Sequence, residues 1–137
     1  MKKSFSALGA MSAAAILVVA MPSSAQAAFS PTLSCSVTGS KGSIKVSNWS
    51  GPGATVNLTI SVTDTKSDGH HSRIRLLSKD TFGTTKTWPW RMNYDGLNAT
   101  KTWTTTASDS GGLFDLGVQV GTGEGSQVIT SCIDATW

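Results

Sequence analysis

Charge, cysteine and catalytic motifs are all scarce in this chain, and each shortage removes a class of protein. Only 14% of the 137 residues are Asp, Glu, Lys or Arg, while 39% are hydrophobic. A disordered polyelectrolyte carries far more charge and a membrane protein far more apolar sequence. No polybasic run is present, so no nucleic-acid partner is expected. There are two cysteines, Cys35 and Cys132, and no third ligand near either, which argues against a metal site or a catalytic thiol. The G-x-S-x-G nucleophile elbow is missing. Residues 121–126, GTGEGS, lack both the Lys of a phosphate-binding loop and the last Gly of a dinucleotide fingerprint. Internal repeats, heptads and sustained 3.6-residue periodicity are absent as well. No cofactor is expected.

The longest apolar run, residues 8–21, is about 14 residues, short of the ~20 that span a bilayer. It follows the basic start Met1-Lys2-Lys3 and precedes Ala25-Gln26-Ala27, a small-residue cleavage pattern. This is the anatomy of a secretory signal peptide over residues 1–27, so a secreted, extracellular domain at residues 28–137 is expected, with no membrane anchor after cleavage. Two of the eleven Lys and Arg leave with that segment, so nine face eight acidic residues and the net charge falls from +3 to +1.

In an exported chain an even pair of cysteines implies one disulfide. Cys35 and Cys132 lie near the two ends of the domain, so the bridge brings the first and last strands together. What lies between alternates with period two. Leu33, Cys35 and Val37 form one row; Val56, Leu58, Ile60 and Val62 form another. Ile74 and Leu76 alternate with Arg73 and Arg75. Phe114, Leu116, Val118 and Val120 form a fourth row, and Val128, Thr130 and Cys132 the last. Thr and Ser are the usual outward partners, which suits half-buried strands. Turn signals separate the rows: Ser50-Gly51-Pro52-Gly53, Asp68-Gly69, Asp95-Gly96, Ser110-Gly111-Gly112 and Gly121-Thr122-Gly123. The spacing predicts an all-β, single-domain antiparallel β-sandwich of seven or eight short strands, with a small barrel as the alternative.

Three constellations have chemical potential. His70-His71 follows Asp64-Thr65-Lys66-Ser67-Asp68-Gly69, a faint echo of a calcium loop. Lys66 stands where an oxygen ligand belongs and Arg75 where the bidentate Glu belongs, so a polar turn followed by solvated histidines is the simpler reading. The acidic residues, among them Asp64, Asp80 and Glu124, sit in turn-like contexts and none is paired in sequence, as a glycosidase would need in space. The third constellation is aromatic. Trp88, Trp90, Arg91 and Tyr94 fall within one short segment, and Trp103 follows. On a strand Trp88 and Trp90 share a face, and Pro89 restricts the segment to an edge or loop. Such a pair beside cations either stacks on sugar rings or anchors a protein, or it fills the inner face of a small core.

The segments Asp64-Thr65-Lys66, Asp68-Gly69-His70-His71, Arg73-Ile74-Arg75, Trp88-Pro89-Trp90 and Asn93-Tyr94-Asp95-Gly96 cover the middle third of the chain. In them the sequence resembles the uncharacterised small secreted proteins of filamentous Gram-positive bacteria. That resemblance implies export and a β fold; it carries no activity and no functional residue.

The expectation is therefore a non-catalytic extracellular binding or interaction module, a monomer, with Trp88, Trp90, Arg91, Tyr94 and Trp103 as binding residues. Its target would be polysaccharide, cell wall or another secreted protein. A secreted enzyme inhibitor using residues 121–125 or 50–53, and a small hydrolase using His70 or His71, are the alternatives.

Overall fold

A computed structural model describes residues 27–137; apart from Ala27, the expected signal segment lies outside them. The alternating rows become antiparallel strands: β1 (Thr32–Val37), β2 (Ser40–Ser47), β3 (Val56–Asp64), β4 (His71–Lys79), β5 (Thr85–Thr87), β6 (Arg91–Asn93), β7 (Thr100–Ala107), β8 (Asp115–Glu124) and β9 (Gln127–Ala135). They form two sheets. The first runs β1-β2-β3-β7 and the second β5-β4-β8-β9, with β6 also pairing β4. Nine strands replace the expected seven or eight because the tryptophan segment contributes two three-residue strands to the outer edge of β4.

The inner faces meet in one core. Ile44, Val46, Val56, Leu58, Ile60 and Val62 of the first sheet pack on Ile74, Leu76, Leu116, Val118 and Val120 of the second. Each such side chain contributes roughly 1.5–3 kcal/mol when fully buried. On the outer face of the first sheet, hydroxyls pair across strands: Ser61 with Thr102 at 2.9 Å and Thr63 with Thr100 at 2.6 Å.

The disulfide joins Cys35 to Cys132 with their Cα atoms 6.1 Å apart. β1 and β9 are edge strands of different sheets, so the bridge fastens one sheet to the other. The Ser34 amide donates to Asp134 Oδ2 across the same seam at 2.8 Å. On the far side β7 faces β5 and β6 with no covalent tie.

Four local expectations are corrected. Gly121-Thr122-Gly123 is not a turn but strand, within β8, and the reversal falls at Gly125, whose φ is 56°. The pairing of β8 with β9 shifts between Thr122 and Gly123. Beyond that irregularity Val128 leaves the inward row and is 41% exposed. Phe114 precedes β8 and is 44% exposed, because Leu113 takes the buried place beside it. His71 is buried rather than solvated, and His70 is half-buried.

Candidate functional site: a cleft on the open side of the sandwich

The segment between β5 and β6 determines the open side. Pro89 has no amide hydrogen to offer a ladder, so the pairing with β4 breaks after Trp88 and resumes at Arg91. The interruption separates the two indoles. Trp88 turns inward: its amide donates to the Leu76 carbonyl at 3.1 Å, its Nε1 donates to Ser78 Oγ at 3.0 Å, and its ring packs against the core. Trp90 lies under the cations of β4, with the Arg75 guanidinium 4.3 Å and that of Arg73 5.7 Å from its ring centre. The expectation of one shared face therefore fails, since it assumed a continuous strand through Pro89. Arg91 then pairs with Ile74 and sets its guanidinium 5.7 Å from the ring centre of Trp103, which pairs with Ile60.

Between this strap and β7 lies a cleft of about 420 Å³. That is within the ~300–1,000 Å³ typical of ligand sites. Leu58, Ile60 and Leu76 line its interior. Trp88, Pro89, Trp90, Arg91 and Arg75 form one wall, and Thr105, Thr106 and Ala107 of β7 the other. The lining holds two arginines and no acid. Both are permanent cations that do not exchange a proton near neutral pH. Burial pulls the Arg75 guanidinium below its usual range without removing its charge.

The expected site residues divide. Trp88, Trp90 and Arg91 line the cleft, and Trp103 supports Arg91 from beneath. Tyr94 does not join them. It is 65% exposed at the other end of β4, with its ring 4.5 Å from that of His71 and its hydroxyl directed to Met92 Sδ. Sequence reasoning missed Arg75, Leu58, Ile60, Leu76 and the Thr105-Thr106-Ala107 wall. No local signal marked them, since Arg75 lies 15 residues before Trp90 and the β7 wall lies further on in the chain.

At the Tyr94 end, Arg73 is fully buried. Its guanidinium donates to the carbonyls of Gly125 at 2.9 Å and Ser126 at 3.3 Å, and lies 2.6 Å from His71 Nε2. Arginine only donates, so His71 Nε2 accepts and the imidazole is neutral. Burial first, then Arg73 and His70, push the His71 pKa down. A depressed histidine pKa makes the unfolded chain the better proton acceptor. Stability should thus be flat above pH 6.5 in this respect and fall as pH drops below it, by at most about 1.4 kcal/mol per pH unit. Urea titrations at pH 7.5, 6.0 and 5.0 check this, and His71→Gln should flatten the slope. The hydrolase expectation finds its residues otherwise engaged: Asp64 Oδ1 accepts from the Lys66 amide, and Asp80 Oδ1 from the amides of Phe82 and Thr84. His70 faces Glu124 at 3.7 Å.

Among the described residues no helix is long and apolar enough to cross a membrane, and no group of three or more His, Cys, Asp or Glu is placed to hold a metal ion. Protein-family models, curated proteins and solved structures contain no match to this chain.

Proposed function

We propose that this chain is a secreted, non-catalytic binding module that holds a segment of extracellular polysaccharide in the cleft beside Trp88 and Trp90. The observation that carries the reading is the cleft itself: an apolar interior, two indoles and two guanidiniums on the one side of the sandwich that no disulfide closes. Indole faces suit the C–H faces of sugar rings, and Arg and Trp dominate binding hot spots. A rigid scaffold lowers the entropy lost on binding. The signal-like start and the disulfide support an extracellular place of work.

Trp90 is the informative variant because its main contacts are cations rather than the core. Trp90→Ala should leave the melting curve within a few degrees of wild type yet abolish retention on insoluble polysaccharides and cell walls. Trp88→Ala should instead destabilise by roughly 3 kcal/mol, as truncation of a packed aromatic does. If the wild-type protein is retained on no polysaccharide, or if Trp90→Ala binds as well as wild type, the reading is wrong.

A further inference from the structure

The charge around the cleft narrows its ligand. Four ion pairs join the described side chains: Lys66–Asp68, His70–Glu124, Lys86–Asp109 and Lys101–Asp95. Every one uses Lys or His. Arg75 and Arg91 have no carboxylate partner among the described residues, although the domain holds eight acids. Asp109, two residues beyond the Ala107 wall, is already held by Lys86 and by the Gly111 amide.

The two guanidiniums are stacked alike, although on opposite faces of the second sheet. Each stands over an indole, Arg75 over Trp90 and Arg91 over Trp103. A stacked guanidinium spends its face and keeps its in-plane N–H groups free. The Arg75 Nε donates to Gln119 Oε1 at 2.8 Å, which leaves its two terminal nitrogens. The Arg91 guanidinium has no hydrogen-bond partner among the described residues, its backbone alone pairing with β4. The half-buried Arg91 fork thus faces a cleft that contains no anion of its own, while Arg75, which alternates with the core residues Ile74 and Leu76, turns to the outer face of β4 beside Gln119. A neutral glycan would leave the Arg91 fork incompletely paired, whereas a carboxylate accepts two parallel N–H bonds from it.

We propose that the cleft is specific for acidic polysaccharide, with a uronate carboxylate bound by Arg91 and the ring that bears it laid against the indoles lining the cleft. This deepens the polysaccharide-binding reading and rests on it. The two are separable by experiment. Affinity electrophoresis of the oxidised secreted chain through gels containing polygalacturonate should retard it. Gels containing the same polymer with its carboxylates methyl-esterified should not. Arg91→Gln should weaken retardation by about tenfold, the scale of a lost charge-assisted bond. Arg91→Lys, which keeps charge but loses the fork, should fall between. Lys41→Gln/Lys45→Gln, exposed on the outer face of the first sheet and absent from the cleft lining, should stay within twofold of wild type.

Equal retardation by esterified and free polymer overturns the acid specificity and leaves the polysaccharide reading standing. Equal retardation by dextran sulfate, or equal loss in the Lys41/Lys45 variant, shows diffuse attraction and overturns the site. Failure to bind these polymers and neutral glucans alike overturns both readings. Should Arg91→Gln melt early, Arg91→Lys carries the same comparison.

Discussion

Cys35→Ser/Cys132→Ser should lose about 4–5 kcal/mol of stability and melt roughly 20 °C or more below wild type. The sequence separation of 97 residues makes this one of the longest closures the domain can hold. The chain-entropy model gives about 4.7 kcal/mol for a loop near that length. A domain of this size has only about 5–15 kcal/mol in total. Its core is also thin: the inner faces rely on Val, Ile and Leu, with the large tryptophans only partly buried at the periphery. The bridge further aligns the two sheets, since β1 and β9 share no backbone ladder. Denaturation in urea with and without reductant measures the difference. A loss below about 1 kcal/mol would show that the sheets hold themselves in place and that the unfolded chain gains little from release.

The second large effect lies at Gly123. A methyl group there would fall inside the van der Waals envelope of the Arg73 guanidinium. Arg73 has nowhere to retreat without releasing the Gly125 and Ser126 carbonyls and the His71 ring. Gly123→Ala should therefore cost about 3 kcal/mol, combining overpacking with lost charged hydrogen bonds. The mechanism is tested by a double-mutant cycle. In an Arg73→Met background, the flexible thioether can yield to the new methyl and Gly123→Ala should cost less than 1 kcal/mol. Additive losses would mean that the backbone of β8, not the arginine above it, is what requires glycine.

These sites show where the sequence was legible. β3 could be read at once because Val56, Leu58, Ile60 and Val62 are all buried and their partners are not. β7 could not. Its inward positions are Lys101, Trp103 and Thr105, with only Ala107 buried, because it borders an open cleft and needs no apolar row. β8 was read short because glycine at 121 and 123 mimics a turn. The actual cause is a buried arginine lying across the strand, a contact between residues 50 positions apart that no local pattern reveals. The same arginine alternates with Ile74 as a solvated strand residue would, yet it is fully enclosed. The site was half legible. Trp88, Trp90 and Arg91 are adjacent in sequence and stay adjacent in space. Arg75 and the β7 wall join them only through sheet pairing. Tyr94 was lost to the group because Asn93 is buried and anchors the chain there, its Nδ2 bonded to the Ala99 and Val62 carbonyls.

The position of the disulfide also has a mechanical meaning. A pull applied through the two ends of the domain enters at β1 and leaves at β9. Cys35 and Cys132 short-circuit that path, so the load crosses a covalent bond and the chain between them is never stretched. The sheets, the strap and the cleft are thereby shielded from tension. A domain tugged from both ends at once would keep its binding geometry until the bond itself was cut.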